Sequence, residues 1–111
     1  MTPNAKQAAK ARRIAARLAE IGLVLPGSVV ERYMRCGRPN CRCHADPPAL
    51  HGPYWSWTRK IDNKTVTRML SPEQLADYRP FFDNARRLRQ LTAELEALSL
   101  AVVDGDPRWQ R

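Results

Sequence analysis

One window of the chain, CGRPNCRCHADPPALHGPYW from Cys36 to Trp55, holds all three cysteines and both histidines of its 111 residues. A chain this short builds one small core, and such cores often lean on a metal, a disulfide or a partner. Three cysteines cannot all pair, and their clustering points to metal or redox chemistry rather than a disulfide framework. Structural zinc takes four ligands in a tetrahedron, commonly three or four of them thiolates. Cys36, Cys41 and Cys43 supply C-x4-C-x-C, and either His51 or His44 can complete the set. His51 is the better fourth ligand, because His44 directly follows Cys43 and adjacent side chains do not converge on one point. Zinc held there would be structural, clipping together the ends of the loop from Cys36 to His51. Arg35, Arg38 and Arg42 flank the ligands and would lower thiol pKa values. That serves a redox thiol cluster as well as a metal; ordinary small-residue packing is the plainest alternative.

The charge is one-sided. Residues 1–60 carry 11 Lys/Arg against 3 Asp/Glu, and residues 61–111 carry 8 of each, so the whole net charge of +8 lies in the first part. Such asymmetry suggests an anionic partner, most often nucleic acid, and charge alone does not separate DNA from RNA. Residues 3–23 read as a helix, with Thr2 as cap and Pro3 at the first position. Ile14, Leu18 and Ile21 form its apolar stripe. Lys6, Lys10, Arg13 and Arg17 form a basic stripe whose members repel one another unless phosphates lie opposite. A merely solvated basic face is the competing reading. The N-terminal stretch lacks the apolar segment of a secretory signal, and no run approaches the ~18 apolar residues of a membrane span. A cytoplasmic protein with no membrane association is the expectation.

After the Pro26-Gly27 turn, SVVERYMRC predicts a strand over 28–35. PYWSWTRKI and KTVTRML predict two more, joined at Asp62-Asn63 as a hairpin. With a two-residue loop, Ile61 opposes Lys64, Trp57 opposes Arg68 and Trp55 opposes Leu70. Trp55, Trp57, Val66 and Leu70 then share the buried face, with Trp57–Arg68 as a candidate cation–π pair. A base-stacking platform is the rival use of the tryptophans. Ser71-Pro72-Glu73-Gln74 opens a long helix as a capping box, and Pro80 should kink or split it. Leu88, Leu91, Leu95 and Leu98 continue a heptad-like stripe beyond what three strands can cover, so pairing with the first helix or with a second copy of the chain is expected. The organisation is a basic helix over 1–26, a zinc-knuckle sheet over 27–70, a helix over 71–103 and a polar tail over 104–111, one domain overall. The fold class is α+β.

CGRPNCRCH followed by HGPYWSW, KTVTRML and a Leu/Arg-rich helix resembles a family of small uncharacterised bacterial proteins, a domain of unknown function, across roughly residues 27–98. The resemblance implies a shared site that includes Cys36, Gly37, Cys41, Cys43, His51, Gly52, Pro53 and Tyr54, and an association with transposons and other mobile elements. Where that family usually shows Gly-Lys-Thr after the hairpin turn, this chain has Asn63-Lys64-Thr65, and Asn tolerates the left-handed conformation.

Three functions compete. A nucleic-acid-binding accessory protein would use the first helix, the knuckle arginines Arg35, Arg38 and Arg42, and the hairpin bases Arg59, Lys60, Lys64 and Arg68. An adaptor or homodimer would use the C-terminal helix, docking on a transposase, a recombinase or itself. An enzyme would need an open zinc position and a general base. Asp46 is the window's only carboxylate, and three thiolates plus a histidine close the site. The expectation is a DNA-binding protein without catalysis.

Overall fold

The computed structural model describes residues 2–109. Its elements run α1 (Ala5–Glu20), β1 (Ser28–Met34), a single 3-10 turn at Arg42–His44, β2 (His51–Ile61), β3 (Lys64–Leu70) and α2 (Pro72–Asp104). The strands form one antiparallel sheet in the order β1-β2-β3. This is the α+β architecture expected from the sequence.

The chain divides into two compact units, one formed by residues 1–25 with 81–111 and the other by residues 26–80. In the first, α1 and the C-terminal part of α2 lie side by side and antiparallel. Lys6, Lys10 and Arg13 line one groove with Leu98 and Ala101. At the other end the Asn84 amide donates to the Leu23 carbonyl at 2.9 Å. Ile14, Ala85 and Leu91 are buried in this unit.

Asn4, not Thr2, starts α1. Its side chain accepts from the Gln7 N–H at 2.7 Å, and the Gln7 side chain accepts from the Asn4 N–H at 2.9 Å. This reciprocal pair satisfies two otherwise orphaned donors, which a threonine two residues earlier cannot reach. Pro3 therefore precedes the helix, and Ile21 rather than Leu23 closes it. Ser71 and Gln74 form the same box at the start of α2, as their sequence predicts.

Within residues 26–80 the hairpin has the register set by its turn. Asp62 and Asn63 both take positive φ, 51° and 65°, and Ile61 pairs with Lys64, Trp57 with Arg68 and Trp55 with Leu70. The Trp57 indole N–H donates to the Pro26 carbonyl at 2.8 Å, and its ring meets Tyr78 from the first turns of α2 at 6.3 Å. Arg68 is the expected cation; Arg59 lies over the Trp57 ring, 3.9 Å from its centroid. Both share the tryptophan's face, but Arg59 stands two residues along the same strand, within reach of a long side chain. Trp57 is half-buried and is packed within this unit by these contacts.

Pro80 does not split α2, which runs unbroken from Pro72 to Asp104. The proline removes the bond to the Ala76 carbonyl. Buried Leu75 and Ala85 anchor the helix on either side of that gap. Beyond the helix, the Trp109 indole N–H donates to the Val103 carbonyl at 2.6 Å, tying the tail back.

Candidate metal centre

The cluster forms where β1 ends and β2 begins. Gly52 is the residue that permits it. Its φ is +144°, and a Cβ there would lie 2.8 Å from the Arg32 carbonyl and 2.9 Å from the Tyr33 ring. Only glycine lets β2 start this close to β1, beside the irregularity between Arg32 and Met34 in the ladder. Met34 pairs with His51, which brings the end of β1 level with the histidine. The Cys41 N–H donates to the Arg38 carbonyl and the His44 N–H to the Cys41 carbonyl, turning the intervening loop back on itself.

The ligand atoms of Cys36, Cys41, Cys43 and His51 all lie within 4.8 Å of one another. Cys36 Sγ is 3.6 Å from Cys43 Sγ, and Cys41 Sγ is 3.1 Å from His51 Nε2. A tetrahedron with metal–sulfur bonds near 2.3 Å has edges of about 3.8 Å. The four donors are close enough together for one ion to reach them all, and three soft sulfurs with one imidazole suit a tetrahedral ion. These four residues can hold a metal. His44 stands apart: its Nε2 lies 2.7 Å from the Cys36 carbonyl oxygen, buttressing the backbone next to the first ligand.

The thiols are unequal. The Cys41 thiol is pulled down to about 6, first by the Cys43 backbone N–H, then by the Cys43 and His51 side chains. Cys43 is fully buried, and burial pushes its thiol up. The Cys36 N–H donates to Cys43 Sγ at 3.3 Å, a contact that favours the thiolate there.

The candidate phosphate contacts fall into separate groups. Lys6, Lys10, Arg13 and Arg17 are exposed on α1. Arg35, Arg38 and Arg42 are exposed around the metal-ligand loop. The hairpin bases do not share a surface. Lys60 projects from the face carrying Ser56 and Thr58, whereas Arg59, Lys64 and Arg68 belong to the Trp57 face, because side chains alternate along a strand. Arg59 is half-buried, lies over Trp57, and has its Nη1 buried without a hydrogen-bond partner. The expected partner stripe is also largely used: Leu91 is buried, Leu88 and Leu98 are half-buried, and Leu95 is exposed. Leu100, which the heptad reading passed over, is 63% exposed. Among the described residues, no helix is long and apolar enough to cross a membrane.

Fold and site together define a small α+β protein with a Cys3His cluster, able to hold a metal ion, where β1 ends and β2 begins. The chain belongs to the DUF6788 family, a domain of unknown function, whose model matches residues 5–80. The match takes in α1 and stops inside α2, so it lies further toward the N-terminus than the 27–98 span of the resemblance. No curated protein and no solved structure matches the chain.

Proposed function

We propose that the protein is a non-catalytic nucleic-acid-binding accessory protein whose β-unit is held by structural zinc. The observation that carries the reading is the cluster itself, four converging donors ringed by exposed Arg35, Arg38 and Arg42. Zinc bound there would fix the loop and with it three guanidinium groups, the side chains best shaped for phosphate. The basic stripe of α1 adds a second phosphate-facing surface. The ligand favoured is DNA, in the mobile-element setting implied by the resemblance. The closed donor set supports a structural ion, since catalysis needs an open position.

The test is fluorescence anisotropy of the zinc-loaded chain on a short duplex across a salt series. The expected slope of log K against log salt is about −0.9 for each phosphate contacted. Lys10→Glu with Arg13→Glu should weaken binding and flatten that slope by about two contacts. Equal affinity at every salt would reject the α1 surface, and no binding by the metal-loaded protein would reject the reading. A protein-adaptor role, on a transposase or recombinase, is the second reading, supported by the apolar side chains exposed on α2.

A further inference from the structure

The C-terminal part of α2 carries an apolar strip that its own unit leaves uncovered. Thr92, Leu95, Glu96, Ser99, Leu100 and Val103 line a shallow groove of about 510 Å3, all from this one helix. Leu95 is 36% and Leu100 63% exposed. Neither is part of the buried seam at Leu91, which faces α1.

We infer that this strip is where a second copy of the chain docks, with α1 of each copy lying over α2 of the other. The flanks of α1 carry different chemistry. Lys6, Lys10, Arg13 and Arg17 recur at helical spacing on one flank, and Ala8, Ala11, Ala15 and Ala19 on the other. The basic flank lines a groove with Leu98 and Ala101. The alanine flank therefore falls on the opposite side of the helix pair, the side on which α2 carries Thr92, Leu95 and Ser99. That face has protruding leucines along one edge and small residues along the other. A two-fold axis parallel to the helices sets each leucine edge on the partner's alanine edge, an isologous contact in which every neighbouring helix is antiparallel.

Charge selects the same occupant. Between Leu91 and Asp106 the helix and its end carry Glu94, Glu96, Asp104 and Asp106 and no base, while α1 carries five bases and one acid. The levels are fixed within the unit: Lys6 and Lys10 lie beside Leu98 and Ala101, and Gly22 lies beside Asn84. At one residue per residue along antiparallel helices, Leu100 is level with Ala8, and Glu96 with Arg12. The two-fold keeps those levels, so Glu96 of one copy meets Arg12 of the other at the rim. Both are exposed, and neither is in an ion pair among the described residues.

Sedimentation of the full, zinc-loaded chain without nucleic acid tests this. The wild type should be a dimer at micromolar concentration. Leu100→Glu should raise the dimer dissociation constant at least about tenfold while leaving the helical circular dichroism of the monomer unchanged. Arg12→Glu and Glu96→Arg should each weaken the dimer by about two- to fivefold, and the double swap should restore it. A wild type still monomeric at about 100 µM overturns the proposal. So does a dimer indifferent to Leu100→Glu, or a double swap no better than either single change.

Discussion

The two units solve the problem of a small core in different ways. The unit of residues 26–80 buries Cys43, Ser56, Leu70 and Leu75, and one of those four is a candidate metal ligand. The unit of α1 and distal α2 buries Ile14, Ala85 and Leu91 and has no such ligand set among the described residues. The first closes its loop through side chains converging on a point; the second relies on two helices covering each other. The difference teaches where each should fail. Breaking the Cys3His cluster attacks one unit, and trimming an aliphatic side chain attacks the other.

Metal removal should have the largest effect. If zinc is the resident ion, its binding energy is folding energy, on the order of 10 kcal/mol in small zinc modules. Chelation, or Cys43→Ala, should abolish ordered strand amide signals for residues 28–70 and leave the helical signal of α1 largely in place. Simultaneous loss of both would break the comparison, and a metal-free sheet that melts unchanged would remove the ion from it. Leu91→Ala comes next. It should destabilise the helical unit by about 2–5 kcal/mol through lost burial and a residual cavity. Zinc content should stay at one ion per chain, and a fall in it would show that the units are not separable.

The backbone at Gly52 should give a smaller effect, confined to the sheet. Gly52→Ala places a Cβ against the Arg32 carbonyl and adds positive-φ strain, together worth about 1–3 kcal/mol. Hydrogen exchange should accelerate around Met34 and His51 with α1 unaffected. The smallest test concerns the thiols. In reduced protein whose sheet stays folded once the metal is stripped, Cys41 should alkylate first, its rate falling as pH drops through about 6. Buried Cys43 should react last. The depressed Cys41 value also works on stability: its contribution is full above the ordinary 9.0 and is lost as pH falls through about 6. Equal labelling of both thiols would erase the asymmetry within the cluster.

Much of the residue 26–80 unit was legible in the sequence because local signals fix it. Asp62-Asn63 sets a two-residue turn, the turn sets the register, and the register places Trp55, Trp57 and Leu70. The choice of His51 over His44 followed from chain geometry and agreed with the family resemblance, and His51 is the histidine that joins the three cysteines. Which arginine covers Trp57 was not legible, because Arg59 and Arg68 share its face and their reach depends on rotamers. The box between Asn4 and Gln7 was present in the residues but obscured by Pro3, which also suits a helix start. The divided hairpin bases show a further limit. A count of Lys and Arg in a hairpin ignores the alternation that sends Lys60 to one side and Lys64 and Arg68 to the other.

The order of the units along the chain has a consequence for synthesis. Residues 26–80 form a contiguous insert between the two halves of the helical unit. A ribosome adding ~5–20 residues per second releases α1 several seconds before its partner stretch of α2 exists. The β-unit can fold during that interval, while Ile14, Leu18 and the basic stripe wait unmatched. A nascent α1 in that state is a cationic, apolar-striped segment beside an RNA-rich surface. Its capture there, or its protection until Leu91 emerges, would be decided before the protein is complete.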